Sequence, residues 1–253
     1  MKTETVSAYA LPSPHVISKR AAILQSDGSM NRSLRREFVD EFFSRHVAVI
    51  SKGSTVLDLG GHRPPRRGRF DIDRYGLSVR SANISVSRRP DVQTDASRLP
   101  FLTESFDAII CSELLEHVPE PLPVLREVHR TLRPHGVLLM SVPFLFHIHA
   151  DPHDYGRYTD QYWKENLDRI GFRDVVIEKQ GLFWSVIVDM MRGWLCECRR
   201  TGRLHSALSD RVATMVIRRA KKWALEREQL IPVASEQYVS RYTTGFGIRA
   251  VKP

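Results

Sequence analysis

Apolar residues change their spacing several times along this chain, and each change marks an element. After Ser33, the residues Leu34, Phe38, Phe42 and Val49 recur at near-helical intervals, which predicts a helix. Thr55-Val56-Leu57-Asp58-Leu59 is a short apolar run closed by Gly60-Gly61, the pattern of a buried parallel strand entering a tight turn. Phe106 to Cys111 reads as a second buried strand. The helix after it is announced by Pro121 and Pro123, carries Leu122, Leu125, Val128 and Leu132 on one side, and is stopped by Pro134 and Gly136. Val137 to Val142 forms the next strand. Thr159 caps a helix through Trp163, Leu167 and Ile170 that ends at Gly171, and Val175 to Ile177 supplies another strand.

Strands alternating with helices in this order imply right-handed crossovers and an α/β fold: a doubly wound, mostly parallel sheet with helices on both faces. The pattern divides the chain into an N-terminal arm (1–32), a core (33–180), a basic helical insertion (181–238) and a last strand returning to the core sheet (239–253). Within the insertion, Leu208 to Leu230 reads as an amphipathic helix with Val212, Met215, Val216 and Trp223 apolar and Arg218, Arg219, Lys221 and Lys222 clustered. The run Phe183 to Leu195 departs from a simple helical stripe, so much of it is expected to be buried.

Composition narrows the classes. With 253 residues, 42% of them hydrophobic, the chain can bury one large core. Three cysteines, Cys111, Cys196 and Cys198, fit neither a disulfide framework nor a four-ligand zinc site, and a reducing, cytoplasmic setting follows. No secretory signal is evident after Met1, and Leu182 to Cys196 is too short and too charged to span a bilayer. The net charge of +9 favours anionic partners or simply aids solubility.

In an open parallel sheet, ligands bind beyond the carboxyl ends of the strands, so the turns after Leu59, Cys111 and Val142 should converge. Four strings follow in order: Asp95-Ala96-Ser97-Arg98-Leu99-Pro100-Phe101, Ser105-Phe106-Asp107-Ala108-Ile109, Glu113-Leu114-Leu115-Glu116-His117-Val118, and Leu132-Arg133-Pro134-His135-Gly136-Val137-Leu138. With them the sequence resembles the class I S-adenosylmethionine-dependent methyltransferases, over about residues 54 to 180 and the last strand. The resemblance implies a seven-stranded Rossmann-like methyltransferase fold, S-adenosyl-L-methionine as cofactor, and a methyltransferase activity. Carried over by position, Asp58, Gly60 and Gly61 match the family's cofactor loop, Asp95 and Ala96 the segment against the adenine, and Cys111, Ser112 and Glu113 the strand end near the methionine half; His117 is cofactor-proximal.

Two positions depart from the family. Where its loop runs D-x-G-x-G-x-G, this chain has Asp58-Leu59-Gly60-Gly61-His62-Arg63-Pro64, and where it ends its second strand on an acidic residue for the ribose hydroxyls, this chain has Asn83, with Ser78 as the alternative register. An amide can hydrogen-bond a hydroxyl but lacks the charge-assisted strength of a carboxylate.

The segment Phe146 to Thr159 follows the strand ending at Val142, so it should overhang the crevice where an acceptor sits. Methyl transfer is an in-line displacement at a sulfonium, and for a hydroxyl acceptor the protein must also remove a proton. His153, Asp154 and His149 are the candidate bases; Tyr155, Arg157 and Tyr158 are candidate acceptor contacts, and Arg157 suits an anionic group. An Asp154–Arg157 pair that merely fixes the loop is the competing reading. His147, His149, Asp151 and His153 have ligand chemistry, but a His-rich loop binds metal only in a geometry that sequence does not show, so no metal is expected.

The resulting expectation is methyl transfer to oxygen, less readily nitrogen, of a small-molecule, sugar or lipid-linked acceptor. The basic segment suggests peripheral contact with an anionic membrane. A homodimer stays open, while nucleic acid is disfavoured because no binding-module string is present. The alternative is a catalytically silent methyltransferase-like protein that binds a partner through its basic segment. A nicotinamide dehydrogenase is set aside, since Gly-x-Gly-x-x-Gly is missing and the later strings point elsewhere.

Overall fold

The computed structural model describes residues 30–61, 68–149, 152–203, 206–230 and 238–253. Most of the N-terminal arm, His62 to Pro64 of the first turn, and Asp151 lie outside the described residues. Ser33 opens the first helix, α1 (Leu34–Val47), by accepting from Arg36 N at 3.0 Å. A second cap comes from far along the chain: Asp189 accepts from Leu34 N at 2.7 Å and Arg35 N at 2.8 Å, satisfying donors that no helix can satisfy internally.

Among the described residues seven strands follow: β1 (Thr55–Leu59), β2 (Ser78–Asn83), β3 (Val92–Gln93), β4 (Phe106–Ser112), β5 (Leu132–Pro143), β6 (Arg173–Lys179) and β7 (Gly245–Val251). Their order in the sheet is β3-β2-β1-β4-β5-β7-β6. All neighbours run parallel except β7, which is antiparallel to both β5 and β6. The seven-stranded, mostly parallel, Rossmann-like sheet read from the sequence is thus present. Alternation along the central strands builds two cores. Leu57, Leu59, Ile109, Leu138 and Met140 pack with α2 (Pro121–Thr131) and α3 (Asp160–Ile170). Val56, Ala108, Ile110 and Leu139 face α1 through Val39, Phe42 and Phe43.

Helix α2 ends at Thr131, before the proline expected to stop it, and Leu132 is the first residue of β5 rather than the last of the helix's apolar side. Leu132 pairs with Phe106, after which the register shifts before Val137 pairs with Ala108. Pro134 and Gly136 fall in that irregular stretch, where a missing ladder donor costs little.

Between β6 and β7 the chain forms two packed helices, α4 (Phe183–Arg200) and α5 (Ala207–Leu230). Glu228 of α5 caps α4 by accepting from Leu182 N at 3.0 Å and Ser185 N at 2.7 Å. Leu34 and Phe38 of α1 meet Val188, Ala224 and Leu225, so α1 is held between the sheet and this helical pair.

The expectation of burial for the run 183–195 holds for Val186 and Val188 but not for Met190, Met191 and Trp194, which are exposed. Conversely, Arg192, inside that run, and Lys221 of the basic cluster turn inward: Arg192 donates to Met30 O at 3.2 Å, and Lys221 donates to Arg32 O and faces Glu37 at 3.6 Å. Inward cations that satisfy carbonyls at the start of α1 explain why polar residues interrupt an apolar run.

Candidate functional site

The carboxyl ends of β1, β2 and β4 open onto a cleft of about 1370 Å³, closed on one side by Arg36, Val39 and Phe43 of α1. Of the residues singled out from the sequence, Asp58, Gly60, Gly61, Asn83, Asp95, Ala96, Glu113, His117 and His149 line it. Cys111, His153, Asp154, Tyr155, Arg157 and Tyr158 do not. Cys111 is buried within the sheet, where desolvation pushes its thiol far above the ordinary range, so its side chain serves the core. Ser78, the alternative register for Asn83, begins β2 at the opposite end of the strand.

At the first turn Gly60 adopts φ +80°, the left-handed region that glycine enters without cost. Gly61 is required for another reason: a Cβ there would lie 2.2 Å from the Asp58 carboxylate. Asn83 fastens this turn, its Nδ2 donating to Gly60 O at 2.8 Å and Gly61 O at 3.1 Å while its Oδ1 accepts from Ser85 N at 2.9 Å. A carboxylate cannot donate, so an acidic residue here would set oxygen against two carbonyls. The departure from the family's acidic position therefore has a local structural cause, and one lone pair on Oδ1 remains for a ligand hydroxyl.

Further along the cleft, Asp95 Oδ1 accepts from Ser97 N at 2.8 Å and Ser97 Oγ at 2.9 Å, which fixes the carboxylate at the rim. Glu113 has φ +50°, a conformation that costs a non-glycine residue of order 1 kcal/mol and tends to mark functional sites. Its carboxylate is gripped by Arg35, whose Nε donates at 2.8 Å and whose Nη2 donates to the other oxygen, with Ser141 Oγ adding a bond at 3.0 Å. Burial favours the neutral acid, but the Arg35 charge overrides it and holds Glu113 below the usual carboxylate range. Arg35 is itself only 2% exposed.

The opposite end of the cleft is lined by His117, from the single helical turn Leu115–His117, and by Phe146, His147 and His149 of the segment after β5. Glu116 is 2% exposed, neither carboxylate oxygen has a hydrogen-bond partner among the described residues, and burial, reinforced by Glu113, pushes it up to about 8. His117 Nε2 lies 3.7 Å and His149 Nε2 3.9 Å from Glu116 Oε1. Each ring is oriented from its other nitrogen: His117 Nδ1 is 2.6 Å from His153 O, and His149 Nδ1 is 3.2 Å from His147 O and 3.5 Å from Asp154 Oδ2.

Asp154 forms a bidentate pair with Arg157 and accepts from His149 N at 2.9 Å, contacts that depress it to about 2. So weak a base suits holding the His149 loop rather than removing a proton. Arg157, committed to this pair, faces Asp154 rather than the cleft. His153 contributes its carbonyl while its ring is exposed beside Tyr155, and Tyr158 stacks on Tyr162 at 4.2 Å.

Residues 69–140 match a family model described as a methyltransferase domain. Over these residues the chain is similar to methyltransferase domains.

Among curated relatives of such domains, a ubiquinone biosynthesis O-methyltransferase of Actinobacillus pleuropneumoniae is 50% identical over 95 residues, which is 37% of this chain and 38% of that protein. The chain thus spans well under half the length of that relative. A solved Haemonchus contortus phosphoethanolamine N-methyltransferase 2, in complex with phosphomonomethylethanolamine and S-adenosylhomocysteine, has a TM-score of 0.54 at 15% identity, covering 85% of this chain and 52% of that one. The (4+2) cyclase SpnF has a TM-score of 0.53 at 18% identity, covering 86% and 80% of the two chains. A methyltransferase fold that carries a cyclase shows that the scaffold leaves the reaction open, and the site must decide it.

Arg35 and Glu116 were not singled out as site residues from the sequence. Arg35 sits in the charged run Arg35-Arg36-Glu37, which looks like a solvated helix face, and Glu116 looks like one more polar residue of a loop. Only the packing of α1 against the sheet and of the loops over the strand ends reveals that both are buried.

Proposed function

We propose that this chain transfers the methyl group of S-adenosylmethionine to a hydroxyl oxygen of a small or lipid-linked acceptor. The observation that carries the reading is the division of one cleft into two chemically different ends. The glycine turn, Asn83 and Asp95 offer backbone approach, a hydroxyl partner and a carboxylate to a nucleoside; Glu116, His117 and His149 offer a cluster able to take charge of an acceptor proton. When bound, the cofactor supplies an activated sulfonium methyl. The protein's tasks are to align the acceptor oxygen with that methyl and to remove its proton. Oxygen is favoured over nitrogen because a hydroxyl needs such a proton-handling end, and the O-methyltransferase relatives support the same choice.

Incubation with labelled S-adenosylmethionine and a panel of catechols, hydroxylated sugars and primary amines tests this. Label should enter the hydroxyl compounds, and transfer confined to amines would reject the oxygen assignment.

We further propose that α4 and α5 rest on an anionic lipid surface, which would bring a lipid-linked acceptor to the cleft. Ile187, Met190 and Trp194 recur along α4, and Val212, Met215 and Trp223 along α5; Trp194 is 64% and Met190 56% exposed. Arg203, Arg211, Arg218 and Arg219 are exposed among them. No described helix is long and apolar enough to cross a membrane. Flotation with phosphatidylglycerol vesicles should carry the protein and Trp194→Ser should reduce the bound fraction severalfold, whereas binding indifferent to anionic lipid content would remove the idea. A stable dimer that buries Trp194 would assign the same face to a second copy of the chain.

A further inference from the structure

Glu116, His117 and His149 present an electrostatic arrangement that is incomplete as it stands. Their ligand-type atoms lie within 4.8 Å of one another. The nearest hydrogen-bond acceptors of both imidazoles sit at Nδ1: the His153 carbonyl for His117, the His147 carbonyl and Asp154 for His149. Those acceptors draw the ring proton to Nδ1, leaving a lone pair on each Nε2. Two imidazole lone pairs and a buried carboxyl group, neither of whose oxygens has a hydrogen-bond partner among the described residues, therefore converge. A proton on Glu116 relieves one of these contacts, whereas a bound cation satisfies all three groups at once.

We propose that Glu116, His117 and His149 form a divalent-cation site of the zinc type, with its open coordination position facing the cleft. Two imidazole nitrogens and one carboxylate suit a borderline metal ion better than magnesium or calcium. Metal-binding histidines characteristically anchor their second nitrogen on a carbonyl or carboxylate, as both do here. Ideal tetrahedral bonds of about 2.1 Å place ligand atoms roughly 3.4 Å apart. The carboxylate-to-imidazole separations of 3.7 and 3.9 Å lie close to that, while the full spread of the three ligand atoms, up to 4.8 Å, needs a larger inward movement on binding. His117 and His149 line the cleft, so a three-ligand ion there would keep a position open to an acceptor.

This inference rests on the methyl-transfer reading and specifies how the acceptor is prepared. A hydroxyl bound to the ion loses its proton to solvent more readily. The oxygen then forms the new O–CH3 bond as the S–CH3 bond breaks and the sulfonium becomes a thioether. No oxidant or reductant is involved. The ion would hold the acceptor by its oxygen, and expansion to a fifth coordination position would favour vicinal diols and catechols, whose second hydroxyl can fill it.

Calorimetry of the chelator-treated full chain with Zn²⁺, and visible absorption with Co²⁺ in its place, tests the site without any turnover. One ion per chain should bind. Glu116→Gln and His149→Phe should each weaken it by more than the roughly 10–100-fold that loss of an outer partner costs. Asp95→Ala should leave the metal isotherm unchanged while weakening S-adenosylhomocysteine. Absence of stoichiometric binding, or binding that survives both ligand substitutions, overturns the metal site. Near-native circular dichroism of Glu116→Gln excludes misfolding as the cause of any loss. Failure of S-adenosylhomocysteine to bind the wild type, with metal binding intact, would instead overturn the methyl-transfer reading and leave the cation site in place.

Discussion

Arg35→Met should lower unfolding stability by about 3 kcal/mol and, in the fraction that folds, displace Glu113 and weaken cofactor binding. The estimate comes from breaking a buried ion pair on one side, which costs about 3–5 kcal/mol because the remaining charge is left without compensation. Glu113 keeps its bond from Ser141 Oγ, which argues for the lower end of that range. Methionine fills much of the arginine stem's volume, so the effect isolates the guanidinium. Arg35→Lys should recover only part of it, since an ammonium cannot reproduce the two-pronged grip on the carboxylate. Urea denaturation reads the stability term. A change below about 1 kcal/mol would show that the pair behaves as an exposed one and that α1 is not tied to the site through it.

Gly61→Ala should separate binding from stability. Its Cβ would meet the Asp58 carboxylate at 2.2 Å, and the side chain of Asp58 is the part best able to move. The fold should lose little, but the carboxylate would be displaced within the cleft and the backbone beneath it covered. We expect S-adenosylhomocysteine affinity to fall about 100-fold, equivalent to about 2.7 kcal/mol, with a small change in melting temperature. Gly60→Ala should behave in the opposite proportion. Its φ of +80° taxes any side chain directly, so the stability loss is about 1–2 kcal/mol before any effect on the ligand. Equal affinity of the Gly61 variant and the wild type would place the nucleoside elsewhere.

Elements with a strong period were readable from the sequence because a single physical term dominates each. The run Thr55 to Leu59 is a strand since both of its faces are buried, and Ser33, Thr159 and Gly171 mark helix ends through local hydrogen bonding and a left-handed turn. The Leu132 boundary was misplaced because Pro134 and Gly136 read as helix breakers, whereas they sit at an irregularity inside β5. What failed to show was whatever depends on distant segments. Asp189 and Arg192 interrupt the apolar run of α4 because they serve the first turn of α1, more than 150 positions earlier.

The site divides the same way. The end of the cleft proposed for the nucleoside was legible because Gly60, Gly61, Asn83 and Asp95 follow strand ends in a fixed order. The end proposed for the acceptor was not. The sequence places His147, His149, Asp151 and His153 side by side as candidate ligands, but folding points the His153 ring outward and turns His149 toward Glu116. Asp154, a candidate base by type, is bound to Arg157 and made a poor one. Asn83 looked like a weakened cofactor contact, and its amide instead fastens both glycine carbonyls of the first turn.

Titration calorimetry with S-adenosylhomocysteine tests most directly whether the cleft beyond β1, β2 and β4 binds S-adenosylmethionine. Saturable one-to-one binding that Asp58→Ala and Asp95→Ala both weaken is the expected result. A well-folded wild-type protein that takes up no S-adenosylhomocysteine would contradict it and favour a methyltransferase-like scaffold that acts by binding a partner.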